Sequence, residues 1–138
     1  MKILIIFIYF LSTVYSYAIE KPNIDNIVFL EKPKIYKDVI FKDIYENNLN
    51  ISDYEGKLLI LNFWATWCAP CKEEMPSLDL LQKNENLENL KIFPINVGPD
   101  NIENASKFFK DLEINNLELY FDNSITLAKK FEALSIFS

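Results

Sequence analysis

Seven residues, Leu58 to Trp64 with the sequence LLILNFW, are apolar at every position except Asn62. A strand with one wet face alternates apolar and polar residues, so an unbroken apolar run expects cover on both faces. The run therefore predicts a central parallel strand with helices above and below it. The next stretch of chain agrees. From Cys68 the spacing turns helical, with Cys71, Met75, Leu78 and Leu81 (or Gln82) on one face. Pro76 falls inside that helix, where a missing N–H predicts a kink.

The rest of the chain supplies partners for this strand and helix. Residues 35–56 alternate apolar and polar positions (Val39 and Phe41, then Leu49 and Ile51) around a polar turn at Glu46-Asn47-Asn48. That pattern predicts a small antiparallel hairpin, and Gly56 is the expected positive-φ residue of the turn after it. LKIFPINVG, Leu90 to Gly98, predicts a second strand, with Pro94 facing a side that needs no ladder bond. Ile102, Ala105, Phe108, Phe109 and Leu112 come next at helical spacing. LELYF, Leu117 to Phe121, predicts a third strand, and Leu127, Ala128, Phe131 and Leu134 a final helix. Strands alternating with helices place the domain in the α/β class with right-handed crossovers. The apolar stripes on these helices are read as core rather than as a cofactor box.

Two segments precede the domain. Residues 1–18 carry one basic residue, Lys2, then an apolar run from Ile3 to Leu11, and end Ser16-Tyr17-Ala18. This is the pattern of a signal peptide cleaved after Ala18, and the run is short for a membrane anchor. Residues 19–34 hold two prolines and scattered charges, and are read as an extended lead-in.

Charge and composition exclude several functions. The net charge is −6, which argues against a nucleic-acid or anionic-membrane partner. The chain has no histidine, so Cys-His zinc sites, Ser-His or Cys-His hydrolases and imidazole bases are all out of reach.

The only two cysteines, Cys68 and Cys71, leave three uses open. A structural metal site needs about four ligands, and two thiolates supply half. A permanent disulfide closing so short a loop would stabilise the fold little. Redox exchange has the strongest physical case. Cys68 lies where the strand ends and the helix begins, so its sulfur should face unpaired backbone N–H groups and the positive end of the helix dipole. Both favour the thiolate, which is the nucleophile in disulfide exchange. Cys71, a turn further in, is expected to be more buried and to stay protonated until it resolves a mixed disulfide. Pro70 suits the first helical turn, and Lys72 is expected to point to solvent. Glu73 and Glu74 fall where acids ordinarily serve the helix dipole. Glu74, three residues beyond Cys71, falls near the cysteine face, where a partly buried carboxylate would exchange protons with the thiols.

NFWATWCAPCKEEMP, Asn62 to Pro76, resembles the active-site signature of thioredoxin-like proteins of the TlpA/ResA kind, the envelope thiol–disulfide oxidoreductases. ISDYEGK (Ile51 to Lys57) and INVG (Ile95 to Gly98) fit the same family, and residues 117–134 match its inserted strand and helix. The resemblance covers residues 35–138. It implies a thioredoxin-like fold with an N-terminal β-hairpin. It also implies Cys68 as the attacking thiolate, Cys71 as the resolving thiol, Glu74 as the active-site glutamate, and Trp64, Trp67 and Pro70 around them. The implied activity is reduction of disulfides in exported proteins such as apocytochrome c, in the periplasm or cell envelope. Electrons would come from a membrane-embedded thiol transporter, with no small-molecule cofactor and no metal.

The family continues with a cis-proline loop, two antiparallel strands and a helix. Here the last proline is Pro99 and the chain stops at FEALSIFS. The expectation is a domain lacking that C-terminal ββα unit, with LLILNFW as an uncovered edge, that folds poorly alone and reduces substrates weakly. Competing readings are a non-catalytic truncated module and a soft-metal half-site binding an ion such as Cu(I). A peroxide-reducing relative is weaker, since it would want an Arg and the chain has none.

Overall fold

The computed structural model describes Lys32, Ile35, Tyr36 and residues 38–133. The chain divides into two compact units, residues 1–34 and 35–138. Of the first only Lys32 is described, so the leader and lead-in expectations lie outside the described residues, as does Leu134.

The second unit is a five-stranded mixed sheet. Its strands are β1 (Ile40–Asp43), β2 (Asn48–Asn50), β3 (Leu58–Trp64), β4 (Leu90–Val97) and β5 (Tyr120–Asp122). The helices are α1 (Ala69–Gln82), α2 (Ile102–Asp111) and α3 (Thr126–Lys130), with single 3-10 turns at Ile51–Tyr54 and Glu85–Leu87. The spatial order is β2-β1-β5-β4-β3. β3, β4 and β5 run parallel, while β1 is antiparallel to both β2 and β5. The hairpin forms as expected, with Phe41 opposite Leu49, and Gly56 takes φ +84°.

The apolar run alone reads as a central strand, whereas the family resemblance implies an edge, and the edge is what the sheet shows. β3 pairs only with β4 and is the edge strand of the described sheet, so the central reading is corrected; the middle of the parallel set is β4. Along β3, exposure falls from Leu58, 64% exposed, to the fully buried Trp64. The apolar run has a different origin. Trp64 and Ile60 pack into a core with α1 and α2 that contains Met75, Phe108 and Phe109. Phe63, Leu59 and Leu61 enter a second core with Val39, Phe41, Phe93, Leu127 and Ala128. Both faces are covered, and that alone removes the polar alternation. A neighbour on each side is a separate condition, set by backbone pairing, and side-chain pattern carries no information about it.

Pro94 sits inside β4 opposite Asn62, one residue ahead of Ile95, where the pairing with β5 begins. Pro76 lies within a helix that runs unbroken from Ala69 to Gln82. The third strand starts at Tyr120 rather than Leu117. Asp79 of α1 explains the late start. Its buried carboxylate accepts the backbone N–H groups of Asn115, Asn116 and Leu117 at 3.1, 2.7 and 3.0 Å, and the Asn116 side chain at 2.7 Å. Amides held by a carboxylate are not available to a ladder. Asp122 does similar work at α3, accepting the amides of Thr126 and Leu127 at 3.2 and 2.7 Å. Between them Ile125 holds φ +56°, an unusual conformation for a β-branched residue.

Candidate active site

The site forms where β3 ends and α1 begins. Cys68 is the N-cap of α1, and its Sγ accepts the Cys71 backbone N–H at 3.3 Å. One of the first-turn donors that a helix leaves unpaired is thus aimed at this sulfur, as the sequence implies. A turn closed by the Cys68 amide on the Ala65 carbonyl, 3.1 Å, delivers the residue to that place. The two cysteines are joined as a disulfide, with Cα atoms 5.3 Å apart. Both are buried, Cys68 at 5% and Cys71 at 2% exposure. The expected contrast in depth between them is therefore slight.

The surrounding residues divide into a floor and a rim. Trp64 is fully buried beneath the disulfide in the same core, its ring 4.6 Å from Phe108 and 5.5 Å from Phe109. Trp67 is 60% exposed, and Ala69, Pro70, Lys72 and Glu73 are exposed as well. Pro70 occupies the first helical turn, where no N–H is needed. The buried disulfide is thus flanked along the chain by an exposed indole and an exposed proline.

Glu74 is exposed rather than partly buried. Its Oε1 accepts the Asn62 side-chain N–H at 2.6 Å. The one polar residue in the apolar strand therefore tethers the second carboxylate past the cysteines. Only its being polar inside LLILNFW marked Asn62 beforehand.

A second polar group lies across the loop after β4. Asp100 accepts the Thr66 backbone N–H at 3.0 Å through Oδ2 and the Thr66 hydroxyl at 2.7 Å through Oδ1. Its Oδ2 also accepts the side-chain N–H of Asn96, which is fully buried, at 3.0 Å. Sequence reasoning missed all three residues. Burial works to raise the Asp100 carboxyl, but the Thr66 amide, the Asn96 side chain and the Thr66 hydroxyl outweigh it and hold it below the usual range. A carboxyl depressed in the fold stabilises it above the unfolded pKa, about 3.9, and that contribution fades as pH falls through the lower folded value. Asp100→Asn should therefore destabilise the protein at pH 7 and do so by less at pH 2. Urea titrations at both pH values check this.

A cleft lies elsewhere. It has a volume of about 530 Å³ between the hairpin and α2, lined by Ile44, Tyr45, Tyr54, Phe109, Glu118 and Tyr120 among others, with neither cysteine in its wall. Among the described residues, no group of three or more His, Cys, Asp or Glu is placed to hold a metal ion. No described helix is long and apolar enough to cross a membrane.

Residues 34–136 match the AhpC/TSA family. The chain is 33% identical over 98 residues to the thiol-disulfide oxidoreductase ResA of Bacillus subtilis, covering 67% of this chain and 54% of that one. It is 37% identical over 71 residues to ResA of Geobacillus thermodenitrificans, covering 51% and 40%. The chain thus spans about half the length of these curated relatives, or less. A crystal structure of a putative thiol:disulfide interchange protein DsbE from Chlorobium tepidum superimposes with a TM-score of 0.57 at 20% identity, over 67% of this chain and 64% of that one. The fold is thioredoxin-like.

Proposed function

The chain belongs to the AhpC/TSA family, and on that premise we propose that it is an exported thiol–disulfide oxidoreductase reducing disulfides in other envelope proteins. One observation carries this reading. The sulfur of Cys68 caps the helix and receives the Cys71 amide, an arrangement that stabilises a thiolate at that position in the reduced protein.

In the reduced form, the Cys68 thiolate attacks one sulfur of a substrate disulfide. A mixed disulfide forms and the other substrate sulfur leaves as a thiolate, which takes a proton from solvent. The Cys71 thiol then loses its proton and its sulfur attacks Cys68 Sγ, releasing the second substrate thiolate, which is protonated in turn. Two electrons have moved from the protein to the substrate, Cys71 has released one proton and the substrate thiolates have taken two from solvent, and the Cys68–Cys71 disulfide seen in the structure is the product. A dithiol donor, in this reading a membrane thiol transporter, returns the two electrons, and of its two protons one restores Cys71 and the other goes to solvent. Residues 1–18 act as the export signal and residues 35–138 as the redox domain. Apocytochrome c belongs to the substrate class the family resemblance suggests.

Glu74 takes the proton from Cys71 during resolution and passes it to solvent, while Asn62 keeps the carboxylate beside the helix. A general base contributes about a hundredfold or more when well placed; for an exposed carboxylate we expect about tenfold from Glu74→Gln, mostly in the resolving step. Insulin-disulfide reduction by the reduced full-length chain tests the main reading. Turnover no faster than dithiothreitol alone rejects it. Equal rates and pH profiles for wild type and Glu74→Gln reject the role of the glutamate.

A further inference from the structure

We propose that Asp100 is a positioning residue for Cys68: its grip on Thr66 sets the turn that holds the Cys68 sulfur over the first N–H groups of α1. The proposal rests on the oxidoreductase reading for its functional meaning, although its geometry stands independently.

The turn that presents Cys68 spans Ala65 to Cys68 and closes with a backbone hydrogen bond from the Cys68 amide to the Ala65 carbonyl. Such a bond contributes on the order of 1 kcal/mol. Thr66 is the second residue of this turn, and Asp100 holds it at two points, backbone amide and side-chain hydroxyl. Both contacts are made to a carboxylate, and charge-assisted bonds of this kind are roughly twice as strong as neutral ones. The carboxylate is itself held by Asn96, a residue with no exposed surface on β4, the middle strand of the parallel set. The chain of support therefore runs from β4, through Asn96 and Asp100, to the residue two positions before the nucleophile.

The position so fixed matters chemically. Cys68 Sγ stands 3.3 Å from the Cys71 amide, within hydrogen-bond distance for the larger sulfur acceptor. If the turn slackens, Sγ moves off the helix axis and loses both that donor and the dipole, and its thiolate becomes less stable. The carboxylate charge acts in the opposite sense, because a nearby negative group disfavours a thiolate. The two effects are separable. Thr66→Val removes one arm of the grip and leaves the charge in place, whereas Asp100→Ala removes both arms and the charge.

The test is the pH dependence of Cys68 alkylation by iodoacetamide in the dithiothreitol-reduced full-length chain, with the oxidised melting temperature measured alongside. Positioning predicts that Asp100→Ala slows alkylation below the midpoint by about tenfold, equivalent to a one-unit rise in the thiol pKa. Thr66→Val should slow it by a smaller factor, and Thr66→Ser, which retains both donors, should restore the wild-type profile. A lowered melting temperature with an unchanged alkylation profile in both Asp100→Ala and Thr66→Val overturns the proposal in favour of a structural tie. Faster alkylation in Asp100→Ala with no change in Thr66→Val overturns it in favour of a charge effect. If Asp100→Ala does not fold, the Thr66 pair decides alone. No substrate is involved, so a chain inactive toward insulin would reject the oxidoreductase reading while this measurement still judged Asp100.

Discussion

Replacing Cys71 with serine should stop turnover at a mixed disulfide on Cys68, and replacing Cys68 with serine should stop it before any adduct forms. The helix N-terminus activates one sulfur only: the donor at the site is the Cys71 amide, and it points at Cys68 Sγ. Cys71 is buried at 2% exposure and borders the core with Met75 and Trp64. On the proposed reading, an incoming protein disulfide meets Cys68 between the exposed Trp67 and Pro70, and Cys71 acts afterwards from within. Each substitution should lower insulin reduction by about a thousandfold or more, because the two cysteines work as a unit and neither half-reaction completes the cycle. Non-reducing electrophoresis separates the two cases. Cys71→Ser should retain a covalent substrate adduct that dithiothreitol releases, and Cys68→Ser should retain none. Equal adduct formation by both variants would refute the assignment of attacking and resolving roles. A soft-metal carrier, in contrast, would need both sulfurs equally.

The largest effect on stability should come from Asp79→Ala, a substitution away from the disulfide. Asp79 is 6% exposed and accepts three consecutive backbone amides and one side-chain amide. Alanine would leave those donors facing a small void. A single unsatisfied buried group costs about 1–3 kcal/mol, and the losses at one site are not additive, so we expect about 3–5 kcal/mol in total. For a domain whose whole stability is on the order of 5–15 kcal/mol, that is a drop in melting temperature of roughly 15 °C or more. Asp79→Asn keeps one acceptor oxygen and should recover part of it. The exposed Lys107–Asp111 pair is the natural comparison, since breaking it should change stability by less than about 0.5 kcal/mol. Thermal denaturation of the three variants orders these effects, and an Asp79→Ala melt within about 3 °C of wild type, the effect of a sub-kcal/mol change, would show that water replaces the carboxylate readily.

The parts of this molecule visible in its sequence are those written in local pattern. Apolar spacing located the hairpin, the buried stripe Ala105, Phe108 and Phe109, and the helix after Cys68, because periodicity reports which side of an element is covered. The cysteine pair and its place at a helix N-terminus came from the same pattern. The edge position of β3 came from the family resemblance and not from local pattern, because both its faces are covered and only the backbone records the missing neighbour. The late start of β5 was hidden for a related reason: it depends on Asp79, a charged residue at a helical position whose partners lie 36 to 38 residues away. Thr66, Asn96 and Asp100 escaped notice likewise. None is unusual alone, and their connection spans 34 residues of sequence. Glu74 is exposed where partial burial was expected, since spacing on a helix gives an azimuth and not the height of the neighbouring walls.

The way the hairpin joins the sheet has a consequence for how the molecule opens. β1 is attached to β5 through two register pairs, Lys42 with Phe121 and Asp43 with Tyr120, whereas β3 and β4 share seven. Cooperative units in a native protein separate where such connections are thinnest. The hairpin can therefore detach from β5 in a sub-global fluctuation while β3, β4 and α1 stay assembled. Because the cysteines belong to that remaining part, the redox centre should outlast the opening of the opposite side of the sheet, and excursions at the hairpin need not interrupt its chemistry.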